Sequence, residues 1–412
     1  MKEEMESLAQ VMAEHMQLRG AVKRMDSLMV ASRCKRMSRL EILYTVNANA
    51  VRLLNQMGLA ELIPQGCAHY LDEDDRNDVI YRCRGEEAQN RLQRVIDEAV
   101  ALKKGLADAG LTDKEEYALL SRVLDEQTVP AENPGEERKE EAEQQRTARD
   151  KGEIRSDSLQ NPSDPDATFR RKAGQDHKGY VGNVVETVSE DGLGIITTMD
   201  FAQNTHSDSQ FLRDYLAQRS KDAAPETVVA DGAFGGEENV RLAQESGVEL
   251  VVTALTGKEP EEIMGEFHLS EDGTQVLTCP MGHTPEKTTF HHKSGMCRAR
   301  FSRACCEHCP YREKCRAREQ RKSFVVYVSS KMVSRANTRK RMSTEHYRKL
   351  SRLRNGIECR PSLLRRRMDV DNMPVFGFLR TKCFFMLKTG ASNLIALFGY
   401  QQRHRAKSAL LA

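Results

Sequence analysis

The chain has 412 residues, enough for two or three domains. Charged residues make up 30% with no Trp, yet the formal net charge is only +2. A secretory leader is not expected from the opening MKEEMESLAQ, nor a membrane span from CFFMLKTGASNLIALFGY, which is short and carries Lys388. The expectation is therefore a soluble cytosolic protein. Eleven cysteines in such a chain point to thiols or metal ligands, not to a disulfide framework. Charge is segregated: between Arg316 and Arg367 stand 17 Lys or Arg against three Glu, while Glu132 to Glu153 is rich in Glu.

In chain order, residues 1–20 read as a polar helix, and AVKRMDSLMVAS as a short buried strand interrupted by Lys23, Arg24 and Asp26. Ser38 opens SRLE, a capping-box pattern, and Leu43, Val46, Ala50, Leu53 and Met57 recur behind it at helical spacing. The pattern stays helical to about Leu124, through EEAQNRLQRVIDEAVALKKGLADAG and DKEEYALLSRVLDEQ. Val129 to Pro165 is polar and aperiodic, and reads as a solvated linker. Two runs rich in Val, Ile and Thr flank Glu190-Asp191-Gly192, a hairpin signal. SQFLRDYLAQRS follows as a helix, ETVVADGAF as a strand ending at Asp231, GEENVRLAQESG as a helix and VELVVTAL as a strand. This order predicts an α/β core, a mixed sheet covered by helices and interrupted by insertions.

Two acids stand out. Asp231 follows the apolar VVA, and Gly232, Gly235 and Gly236 behind it give a large substrate room. Asp26 lies within an apolar run, where a carboxylate is costly without a cation or hydrogen-bond donor. Carboxylates on a rigid sheet suit hard ions such as Mg²⁺, and two such ions about 3.5–4 Å apart can activate an attacking oxygen and steady a leaving one. The plainer alternatives are an Asp-Gly turn capping the next helix and an edge-strand position facing water.

KRMDSLMVASRCKRMSRLEILY, NPSDPDATFRRKAGQDHKGYVGNVVE, VVADGAFGGEEN, CPMGH with CEHCPYREKC, and LRNGIECRPSLLRRRMDVDNMPVFGFLRTK resemble consecutive blocks of the DDE transposases of bacterial insertion sequences. The resemblance implies a ribonuclease-H-like catalytic fold, DNA as substrate and Mg²⁺ or Mn²⁺ as cofactor. It maps the three catalytic, metal-binding acids onto Asp26, Asp231 and Glu358. Arg354 and Arg365 flank Glu358 much as the family's Tyr, Arg, Glu, Lys signature requires, with Ser351 in place of Tyr and Arg365 in place of Lys. On one continuous helix residues 354, 358 and 365 would share a face, so that both guanidiniums could hold DNA phosphates, although Gly356 and Pro361 are poor helix formers. The basic block would track the DNA backbone with steep salt dependence. Hydrolysis at an element end and attack of the freed 3′-hydroxyl on target DNA would follow, by a homo-oligomer associated with the nucleoid.

Cys279, Cys306, Cys309 and Cys315, two of them in CxxC spacing, are candidate ligands of a structural Zn²⁺ in a ribbon-like insertion, with His283 a substitute and Cys297 and Cys305 spare. Free thiols in a loop-rich insertion are the alternative. Cys34, Cys67, Cys83, Cys359 and Cys383 read as small buried apolar groups, and His291 and His292 are given no role. The expected division is 1–37 (helix and first catalytic strand), 38–128 (helical insertion), 129–165 (linker), 166–258 (catalytic core), 259–322 (cysteine-rich insertion) and 323–412 (end of the core with basic helices). Three rivals stand beside the transposase: a truncated DNA-binding remnant, since few residues precede Asp26; a zinc-dependent interaction module; and a nuclease that never joins strands.

Overall fold

The computed structural model describes all residues except 19–21, 82–85, 132–144, 173, 190–191, 221, 256, 355, 357–358 and 412. Its first strands are β1 (Val22–Ala31), β2 (Thr128–Pro130), β3 (Arg146–Ala148), β4 (Thr168–Lys172), β5 (Gln175–Val188), β6 (Gly194–Gln203), β7 (Glu226–Ala230) and β8 (Val248–Val252). The main sheet runs β4-β5-β1-β7-β8, with β6 also paired to β5. β5 is antiparallel to both β6 and β1, while β7 and β8 run parallel to β1. The fold is thus mixed α/β. The expected hairpin is present as β5 and β6, with Gly192 at φ +83°; Glu190 and Asp191 lie outside the described residues.

Helices cover both faces. Helices Asp208–Gln218 and Glu237–Glu245 bury Phe211, Leu212, Tyr215 and Ala243 against Met25, Met29, Val228 and Leu250. The first of these is closed by a full capping box between Ser207 and Gln210. On the opposite face, helix Glu345–Arg354 packs Tyr347 and Leu350 on Val229 and Val251. Helices Cys359–Arg366 and Phe378–Leu411 pack Leu364, Phe385 and Met386 on Leu28, Val30 and Val184. Alternation along β1 decides this: Met25, Ser27 and Met29 face one way, Arg24, Asp26, Leu28 and Val30 the other.

Side chains from helices reach β6 and β8, two of the outer strands of the main sheet. On β6, Asn393 accepts from the Ile196 N–H at 3.0 Å and donates to its carbonyl at 2.8 Å, while Glu6 accepts from the Met199 N–H at 2.9 Å. On β8, the Tyr347 hydroxyl accepts from the Val252 N–H at 2.7 Å and donates to its carbonyl at 2.8 Å.

Between β1 and β4 lies a helical lobe with its own core. Helices Arg39–Gln56, Glu86–Asp108 and Glu115–Gln127 bring together Leu43, Val46, Leu54, Ile96, Leu102, Leu120 and Val123. Ser38 Oγ caps the first by accepting from the Glu41 N–H, and the Glu41 carboxylate is held by Lys35 and Arg76. Met57, expected on the buried stripe, is 46% exposed because the helix ends there. The stretch read as a solvated linker is in part firmly placed. β2 pairs with β3, Leu159 enters the helical core, and the buried Asp164 accepts from Tyr180 and Ser32.

Beyond the main sheet, β9 (His268–Leu269) pairs with β10 (Val276–Thr278). β11 (Lys287–His291), β12 (Met296–Ser302), β13 (Arg318–Glu319) and β14 (Ser323–Val328) form a four-stranded sheet in the order β11-β12-β14-β13. Cys297, Ala299, Phe301, Val326 and Val328 fill its core, and helix Ser330–Met342 closes over it with Ala336. No helix among the described residues is long and apolar enough to cross a membrane.

Candidate active site

β1 and β7 are adjacent and parallel, with Arg24 opposite Val229; carried two residues on, that register sets Asp26 beside Asp231 on the face covered by the C-terminal helices. Each carboxylate has one oxygen fixed by a backbone N–H: Ser27 donates to Asp26 Oδ1 at 2.9 Å, and Ala233 donates to Asp231 Oδ1 at 2.5 Å. Arg354, at the end of helix Glu345–Arg354, comes to 3.9 Å from Asp231 Oδ2. Its placement follows from the Tyr347 hydroxyl, which bonds this helix to the end of β8.

The Asp26 carboxyl is raised to about 6, chiefly by burial and in smaller part by the nearby Asp231, against the opposing Ser27 N–H, Arg354 and Lys172. Lys172 also approaches Asp208 at 3.7 Å; Asp208 is buried and accepts from Ser27 Oγ at 2.7 Å. A half-buried acid facing a second acid, with cations at the rim, is a donor set suited to a hard divalent ion.

Glu358 lies outside the described residues, and among the described residues no group of three or more His, Cys, Asp or Glu is arranged to hold a metal ion. The expectation of one continuous helix through 354, 358 and 365 is corrected. One helix ends at Arg354 and another begins at Cys359, with the chain turning at Gly356. A glycine, which costs most in a helix interior, and Pro361, which suits a first turn, account for the break. Arg365 accordingly belongs to a different helix from Arg354 and lies 3.7 Å from Asp371.

The four candidate zinc ligands do not form such a metal-holding group, although Cys279, Cys306 and Cys315 pack in one small core. Burial, followed by the charge that neighbouring cysteines carry as thiolates, pushes Cys306 up to about 11 and Cys315 to about 12. Two tight turns carry them, Cys309 N–H to the Cys306 carbonyl and Gly282 N–H to the Cys279 carbonyl. Cys297 is buried in the small sheet and His283 is exposed. Of the scattered cysteines only Cys67 is fully buried among the described residues; Cys359 is exposed, and Cys83 lies outside them.

Sequence reading missed Arg24, Glu186 and Arg360, a buried ionic cluster beside Asp26. The only hint in the sequence was the presence of charged residues inside apolar runs.

Residues 278–398 match the protein family described as transposase DDE domain. The chain resembles a DDE transposase. The match takes in the cysteine cluster, Arg354, Glu358 and Arg365 and begins after Asp26 and Asp231, covering under a third of the chain. Comparison with the curated proteins and with the solved structures gave no match. The family match supports a transposase acting on DNA.

Proposed function

We propose that this chain is the DNA transposase of an insertion sequence, cutting at element ends and joining them to target DNA in a bacterial cytoplasm. The observation that carries this reading is the meeting of Asp26 and Asp231 on adjacent strands under the helix that presents Arg354. A ribonuclease-H-like core is supported by the strand order β6-β5-β1-β7-β8, antiparallel through β1 and parallel beyond it. We divide the chain accordingly, with 1–37, 166–258 and 323–412 as catalytic core and 38–128, 129–165 and 259–322 as helical lobe, connector and cysteine-rich insertion. β14 extends that insertion's sheet to Val328.

Asp26, Asp231 and Glu358 would hold Mg²⁺ or Mn²⁺, which when bound supplies the charge that activates the attacking oxygen and stabilises the leaving one. The backbone donors Ser27 and Ala233 orient the two aspartates before substrate arrives. Arg354 holds phosphate beside Asp231, and Arg365 and the rest of the basic block position DNA further out. By analogy with the family, two copies would bring two element ends together. A structural Zn²⁺ at Cys279, Cys306, Cys309 and Cys315 is a separate proposal, supported by the CxxC spacing and by the packing of Cys279, Cys306 and Cys315 in one small core. Zinc content of the purified protein tests it.

The experiment is cleavage and joining of plasmid DNA carrying the sequences that flank the gene, in Mg²⁺ or Mn²⁺. The natural chain should nick and join, and Asp231→Ala and Glu358→Ala should each lose both activities while still binding DNA. Salt-sensitive binding without cleavage by the natural chain would overturn the proposal in favour of a remnant; cleavage without joining would leave a nuclease.

A further inference from the structure

Glu186 is completely buried on β5, directly across from Arg24 on β1. Arg24 donates to Glu186 Oε2 from Nε at 3.0 Å and from Nη2 at 2.6 Å. Arg360 donates to the other oxygen, Oε1, from Nε at 2.6 Å, and also to the Gly194 carbonyl. The remaining Arg24 nitrogen, Nη1, donates to the Leu353 carbonyl at 2.8 Å, in the last turn of helix Glu345–Arg354, where carbonyls lack helical partners. One carboxylate, through two arginines, therefore ties the sheet to the chain at 353 and again at 360. Glu358 lies between these two anchors in sequence.

Space for the cluster is cut by two glycines. A Cβ on Gly356 would lie 2.0 Å from Arg24 Nη1, and one on Gly194 would lie 2.3 Å from Glu186 Oε1. The glycine of NGIE is thus explained by the guanidinium beside it. A register shift between Val185 and Glu186 in the β5–β6 pairing also falls here, the kind of irregularity that re-aims a side chain. Buried ion pairs contribute little net stability compared with apolar groups of the same size, so stability alone is a poor reason for three charged groups at this place. Their geometry accounts for them better.

We infer that Glu186 is a positioning residue: with Arg24 and Arg360 it ties the chain at Leu353 and at Arg360 to the sheet, and so holds Arg354 against Asp231. This rests on the transposase reading above. The clamp touches neither DNA nor metal in this role and acts through the end of the helix that presents Arg354.

Two readouts test it in the full chain. The first is amide hydrogen exchange of peptides covering 353–360, with those covering β7 and β8 as internal reference. Glu186→Gln places an amide donor against a guanidinium, and should raise exchange at 353–360 at least tenfold while leaving β7 and β8 unchanged. The second is DNA cleavage against Mn²⁺ concentration. Glu186→Gln should cut at least tenfold more slowly at saturation and need several-fold more Mn²⁺, with DNA affinity unchanged within twofold. Arg360→Lys, at a less buried position, keeps the charge and should fall between the natural chain and Arg360→Met; this pair carries the test if Glu186→Gln does not fold. Unchanged exchange in folded variants, or cleavage reduced only in proportion to the folded fraction, would overturn the clamp. A natural chain that neither cuts nor joins DNA overturns instead the reading of the acids, and with it the clamp's catalytic meaning, even where exchange rises.

Discussion

The main sheet and the small cysteine-rich sheet solve the same packing problem with different materials. Around the main sheet Arg24, Glu186, Asp208 and Glu226 are buried among apolar side chains, each with an ionic or hydrogen-bonded partner. Within β11 to β14 the buried groups are Cys297, Ala299, Phe301, Phe324, Val325, Val326, Val328 and one uncharged polar side chain, Ser323, and ion pairs such as Arg303–Glu319 and Arg339–Glu259 stay at the surface. Exposed pairs are worth at most about 1 kcal/mol, whereas buried charge must be matched by partners. The contrast teaches where function is to be sought: in the unit that holds charge in its interior, with the other serving as scaffold.

The sharpest way to break the comparison is to remove a buried charge from the main sheet and watch stability. The folded Asp26 carboxyl stands at about 6 against an ordinary 3.8. A raised acid contributes stability that is fully present below the unfolded value and lost as pH rises through the folded one. In chelator, Asp26→Asn should therefore unfold at higher denaturant than the natural chain at pH 8, by up to about 3 kcal/mol. The gain should shrink through pH 6 and vanish below pH 3.8. A pH-independent difference would mean that burial does not raise the Asp26 carboxyl in the folded chain.

Next in size is the asymmetry between the two arginines. Arg354 lies against Asp231, so Arg354→Ala should slow cleavage about a hundredfold, near 2.7 kcal/mol. Arg365, paired with Asp371, should cost only a few-fold and mainly in DNA affinity. Equal losses in a cleavage titration would put both on the reacting phosphate and sink the distinction drawn from the broken helix. The smallest effect belongs to the scaffold. Cys306→Ser with Cys309→Ser should lower the melting temperature and any zinc content, yet leave cleavage per folded molecule within about twofold of the natural chain, as expected of a closed structural site.

The core strands were legible because Val and Ile runs bounded by Gly and Asp leave few other conformations, and Asp231 was legible because it ends such a run. Asp26 was legible through the cost of an acid inside β1. The small sheet was not, since its buried face is built from Cys297, Ala299 and Phe301 alternating with arginines, a weak apolar signal. Residues 158–164 looked like linker because their burial depends on hydrogen bonds, as at Asp164, and not on apolar periodicity. Glu186 and Arg360 meet across 174 positions, a pairing that no local pattern can announce.

The side chains that occupy β6 and β8 bear on how the molecule associates. Unsatisfied N–H and C=O groups on an edge invite another strand, which is how sheets fuse between chains and how aggregates begin. Here Asn393 and Glu6 close one margin, and the Tyr347 hydroxyl closes the end of the other. The core sheet is thereby protected at those positions against growth by a further strand.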